Sequence, residues 1–150
     1  TMVLHEVTPG AHGYLESGWC FCELETARLG KQLSEYSFDA VRALGCTLEA
    51  DGSLAEEGDL EAYTSACEAE LEQKLFSHPG DSNAVRCIIH AFALKRMMLD
   101  ALDRGDTEQL RSVVARLQER QLAQSTLDQP MNQALETPLH VAVRKGNAVV

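Results

Sequence analysis

The sequence predicts a mainly α-helical chain. Three observations carry that prediction. Apolar residues recur at steps of three and four through most of residues 17–121, the spacing of one helix face. Only one short run, Met2-Val3-Leu4-His5-Glu6-Val7, is β-prone. The 150 residues include just four Pro and ten Gly, and most of these fall between the periodic segments, where breakers separate elements rather than interrupt them.

Residues 2–7 read as a short strand ended by Thr8-Pro9-Gly10. No second strand candidate follows, so its sheet partners are expected upstream. Ser17 or Gly18 opens a helix reaching about Ser34, with Trp19, Cys20, Leu24, Ala27 and Leu29 as a partial apolar face. Ser37 caps a short helix with Phe38, Val41 and Leu44 inward, stopped by Gly45. Residues 49–58 read as an acidic loop. Asp59 caps a helix with Leu60, Tyr63, Cys67, Leu71 and Leu75 as its stripe. The opposite face carries Glu61, Glu68, Glu70 and Glu72; a solvated acidic face suits these better than paired catalytic carboxylates.

His78-Pro79-Gly80-Asp81-Ser82 breaks the chain. A long helix follows from about Asn83 to Arg104, with Val85, Ile88, Ile89, Phe92, Leu99 and Leu102 inward and Met97 and Met98 as core filler. Gly105 ends it. Asp106 caps the next helix, Thr107 to Gln121, whose stripe is Leu110, Val113, Val114 and Leu117. Residues 122–132 then form an enlarged connection.

Charge divides the chain at the same breaker. Residues 1–81 hold 16 acids and 4 bases, residues 82–150 hold 7 acids and 9 bases, and the formal net charge is −10. An acidic front half disfavours nucleic acid as a partner. Lys95, Arg96, Arg104 and Arg111 are diluted by acids and read as a solvated face. No apolar run reaches the roughly 18 residues of a membrane span, and the first residues lack a basic, then apolar, leader pattern. The five cysteines (Cys20, Cys22, Cys46, Cys67 and Cys87) form no disulfide framework and no zinc pair. Reduced thiols of a cytoplasmic or otherwise intracellular protein fit them best. His5, His12, His78 and His90 show no metal spacing, so no metal is expected; His90, inside an apolar stretch, reads as a hydrogen-bonded core or boundary histidine.

The most informative stretch is Glu136-Thr137-Pro138-Leu139-His140-Val141-Ala142-Val143-Arg144-Lys145-Gly146-Asn147. Thr137 can cap a helix. Pro138 falls at the first helical position, where a missing N–H costs nothing. Leu139 and Ala142 are expected on one side, and Gly146 suits a left-handed stop. The stretch resembles the T-P-L-H-x-A opening of an ankyrin repeat. That resemblance implies a bond from His140 back to the Thr137 hydroxyl, a stacked helical array, and contacts to a protein partner from the turn Asn132, Gln133 and Glu136. Ala101-Leu102-Asp103-Arg104-Gly105-Asp106 shares a small-x-x-x-Gly-Asp/Asn pattern with Ala142–Asn147, 41 residues apart. Residues 96–121 therefore read as a degenerate first repeat, with a second beginning near 136; a plain helical hairpin of no repeat type fits the same periodicity. A lone repeat cannot bury its own face, so the chain reads as part of a longer protein.

A second stretch is Tyr14-Leu15-Glu16-Ser17-Gly18-Trp19-Cys20-Phe21-Cys22-Glu23-Leu24. It resembles a Trp-Cys-x-x-Glu-Leu segment of TIR-type and HET-like domains, with residues 2–7 as the preceding strand. Residues 1–80 then read as the tail of such an α/β domain plus helical linkage, and 82–150 as the start of an ankyrin array. The resemblance places Glu23 where NAD-cleaving members hold their catalytic glutamate. A carboxylate there stabilises the positive charge that builds on a sugar as its N-glycosidic bond breaks. The chain has no Gly-rich phosphate cradle. Two expectations follow: a protein-interaction scaffold needing no cofactor, or an NAD glycohydrolase acting through Glu23.

Overall fold

The computed structural model describes residues 8–30, 32–33, 38–45, 60–130 and 134–146. The expected strand at 2–7, the caps at Ser37 and Asp59, the loop at 49–58, Cys46, Asn132, Gln133 and Asn147 lie outside the described residues. Within them the chain is mainly helical, and no strand is present. A 3-10 turn, Tyr14–Glu16, precedes α1 (Gly18–Leu29), α2 (Phe38–Ala43), α3 (Leu60–Leu71), α4 (Asp81–Arg104), α5 (Thr107–Glu119), α6 (Ala123–Leu127) and α7 (Pro138–Arg144). The chain forms two compact units, Thr1–His90 and Ala91–Val150. The division falls inside α4; the Pro79-Gly80 breaker separates α3 from α4 within the first unit.

In the first unit α1 is buried on nearly every side, through Phe21, Cys22, Leu24, Glu25, Ala27, Arg28 and Leu29. Leu24 packs with Tyr14, Ala40 and Val41. Phe21 and Cys22 pack with Cys67 and Leu71 of α3 and Val85 and Ile89 of α4. Such side chains contribute about 1.5–3 kcal/mol each on full burial. α1 starts where Ser17 Oγ accepts from Cys20 N–H at 3.5 Å. It stops at Leu29, not near Ser34: Gly30 N–H donates to Thr26 O at 2.9 Å and Gln32 N–H to Ala27 O at 2.8 Å, which satisfies the last carbonyls.

α3 also ends early. Leu75, expected on its stripe, has left the helix and is half exposed. Its N–H donates to Glu16 O at 2.8 Å and its carbonyl accepts from Gly18 N–H at 3.0 Å, making a parallel bridge between Ser17 and Leu75. Gly18 lies directly beneath the ring of Phe76, so closely that a Cβ would overlap it. Trp19, expected to face inward, is 42 % exposed, and its indole N–H donates to Asp81 Oδ2 at 3.0 Å.

In the second unit, the latter part of α4 buries Ala93, Leu94, Met97, Met98, Ala101 and Leu102, while Phe92, expected inward, is exposed. α5 buries Leu110, Val113 and Leu117. Asp106 caps it as the sequence predicts, its Oδ1 accepting from Gln109 N–H at 2.9 Å. After Arg120, Gln121 turns left-handed at φ 58° and Leu122 N–H closes onto Leu117 O at 2.8 Å. The segment expected to be a plain connection holds α6, with Thr126 buried.

Leu135, also left-handed at φ 58°, leads into α7. Thr137 caps α7, Pro138 occupies its first turn, and Gly146 ends it at φ 71°. Val141 and Ala142 are buried at 3 % and 1 %. Leu139, expected on the same side as Ala142, does not share their burial: it is 59 % exposed. Thr137→Ala is expected to destabilise the protein by about 1 kcal/mol, measured as a lower urea midpoint at unchanged slope.

Candidate functional site

The two distinctive stretches lie in different units and are described in turn. In the first unit the acid brought inside is Glu25, not Glu23. Phe21, Glu25 and Arg28 fall four and then three residues apart, on one face of α1. Glu25 Oε2 accepts from Arg28 Nε at 3.0 Å and from the Tyr63 hydroxyl in a short bond; Cys67 Sγ approaches the same oxygen at 3.9 Å. The Arg28 guanidinium stacks 3.8 Å over the Tyr63 ring, a favourable cation–π arrangement. Both charged residues are only 8 % exposed. Arg28 Nη2 is buried and bonds to no protein atom, an omission that costs free energy unless water fills it.

Burial, reinforced by the Glu25 charge, raises the Tyr63 pKa strongly. For Arg28, burial works to lower the value, but Tyr63 and Glu25 outweigh it and the net shift is upward. Burial and the Glu25 charge likewise raise the Cys67 thiol. Phenol and thiol stay neutral and acceptor-bound, unsuited to nucleophilic attack.

Glu23 is exposed on α1, near the buried Tyr14 phenol. Burial, then the charges of Glu23 and Cys20, push that phenol up to about 12. Ser17, Trp19 and Cys20 hold the helix start, as described above. Among the described cations of this unit, Arg28 is paired with Glu25, Arg42 with Asp39 and Lys74 with Glu70. These groups do not make a cradle for a nucleotide pyrophosphate, which needs uncommitted cations or a ring of backbone N–H groups. Between α3 and α4, His90 Nε2 lies 2.6 Å from Glu68 Oε1 with the imidazole buried, in keeping with the core or boundary position expected of it.

The thiols sort by depth. Burial, with the charges of Glu23 and Glu25, pushes Cys22 up to about 11; burial and Glu25 push Cys67 up to about 12. Cys87 is exposed and Cys20 half-buried. Among the four described thiols, Cys87 is expected to alkylate first under mildly alkaline iodoacetamide, and Cys22 and Cys67 only on unfolding, as peptide mass spectrometry would resolve. Stability is also expected to fall as pH rises from the ordinary thiol range towards about 11 and 12, because there the unfolded chain has lost thiol protons that the native state still holds. A denaturation midpoint flat through that window would contradict the assignment.

In the second unit, His140 Nδ1 lies 2.8 Å from Thr137 Oγ1 and accepts from Thr137 N–H at 3.3 Å. One ring nitrogen thus ties both the cap hydroxyl and the cap backbone to the first turn of α7. Arg144 clamps Glu136 through Nε and Nη2, each at 2.9 Å, and Lys145 reaches back to Asp103 on α4. Of the three turn residues expected to meet a partner, only Glu136 is described, and its carboxylate is bound by Arg144. Beside the turn lies a feature the sequence does not flag. An apolar cleft of about 340 Å³ is walled by Met98, Leu102, Leu110, Val114, Leu127 and Leu139, with Asp128 at its rim.

No known protein family, curated protein or solved structure matches the chain. Among the described residues, no group of three His, Cys, Asp or Glu could hold a metal ion, and no helix is long and apolar enough to cross a membrane.

Proposed function

We propose that this protein is a protein-interaction module whose second unit is built on the ankyrin plan. The supporting observation is an internal correspondence. Ala101 and Ala142, 41 residues apart, are each 1 % exposed, and Gly105 and Gly146 follow each of them at φ 68° and 71°. Both segments thus bury a small residue and then turn left-handed, as at the turn between the two helices of one repeat. The His140–Thr137 bond is the one the T-P-L-H pattern calls for. The partner is a protein, met by the turn before α7 (Asn132, Gln133, Glu136).

The test is affinity capture from the protein's own cells, with wild type and the Asn132→Ala/Gln133→Ala variant compared by quantitative mass spectrometry. Loss of a defined set of proteins, at unchanged circular dichroism, is expected. An identical set would move the contact elsewhere or remove the reading.

The alternative, NAD cleavage through Glu23, rests on the Trp-Cys-x-x-Glu-Leu resemblance and on the exposure of that carboxylate. The pairing of Arg28, Arg42 and Lys74 with carboxylates weighs against a nucleotide site built on those three. Nicotinamide release that disappears in Glu23→Ala would restore it.

A further inference from the structure

We draw no further inference here: the strongest candidate, the exposed apolar row of Leu139 and Val143 on α7 beside the cleft of the second unit, carries none, because nothing in the structure shows what covers it.

Discussion

Glu25→Ala is expected to destabilise the protein by about 3–5 kcal/mol, the usual consequence of removing one partner from a buried ion pair. The carboxylate takes bonds from Arg28 and Tyr63 at once, and all three side chains sit between α1 and α3. Alanine would leave a guanidinium 8 % exposed with its Nε bond gone and its Nη2 already unpartnered. It would also strand the Tyr63 hydroxyl. Glu25→Gln keeps an acceptor of the same shape but removes the charge, so its effect should be smaller. Glu25→Leu combined with Arg28→Met should recover much of the loss, since apolar residues of similar volume often replace a buried pair without penalty. Urea denaturation followed by circular dichroism measures all three. An alanine variant within about 0.5 kcal/mol of wild type, as is usual for surface substitutions, would mean that the network is open to water.

The second large effect is expected at Gly18. Alanine there drives a methyl group into the Phe76 ring, and Phe76 packs against the Phe21–Ile89 cluster, so the ring cannot swing away freely. Overpacking of this kind costs about 1–3 kcal/mol, more than the roughly 0.5–1 kcal/mol that alanine gains over glycine in a helix. The decisive measurement is a double-mutant cycle. If the ring is the obstacle, Gly18→Ala should cost little in a Phe76→Ala background, giving a clear coupling energy. Additive losses would place the strain elsewhere.

How far the sequence exposes these features depends on the kind of contact involved. α5 was legible because it buries one face only: Leu110, Val113 and Leu117 keep the helical step, and Asp106 announces the start. α1 was less so. It packs on two sides, so apolar residues surround it and no single stripe forms. Trp19 then reads as inward though it lies outside, held by Asp81. The same two-sided burial hid Glu25 and Arg28. A motif drew attention to Glu23, yet an acid and a base three apart, in phase with Phe21, were the available signal for a buried pair. The Ser17–Leu75 bridge and the Gly18–Phe76 approach join residues far apart in sequence and leave no periodic trace. At α7 the local chemistry of cap, proline and glycine was readable in full. The cleft was not, because it is made by four helices together. What the exposed row on α7 meets, and whether the turn at 132–136 recognises a partner, are questions of chemistry outside the chain, and residue order alone holds no record of them.

The left-handed backbone at Gln121 and Leu135 has a consequence for how this sequence could change. A side chain in that conformation costs roughly 1–2 kcal/mol, which glycine largely escapes. Neither residue's identity is needed for the turn it makes. Selection for heat tolerance would find its cheapest gains at these two corners, with the helices left untouched.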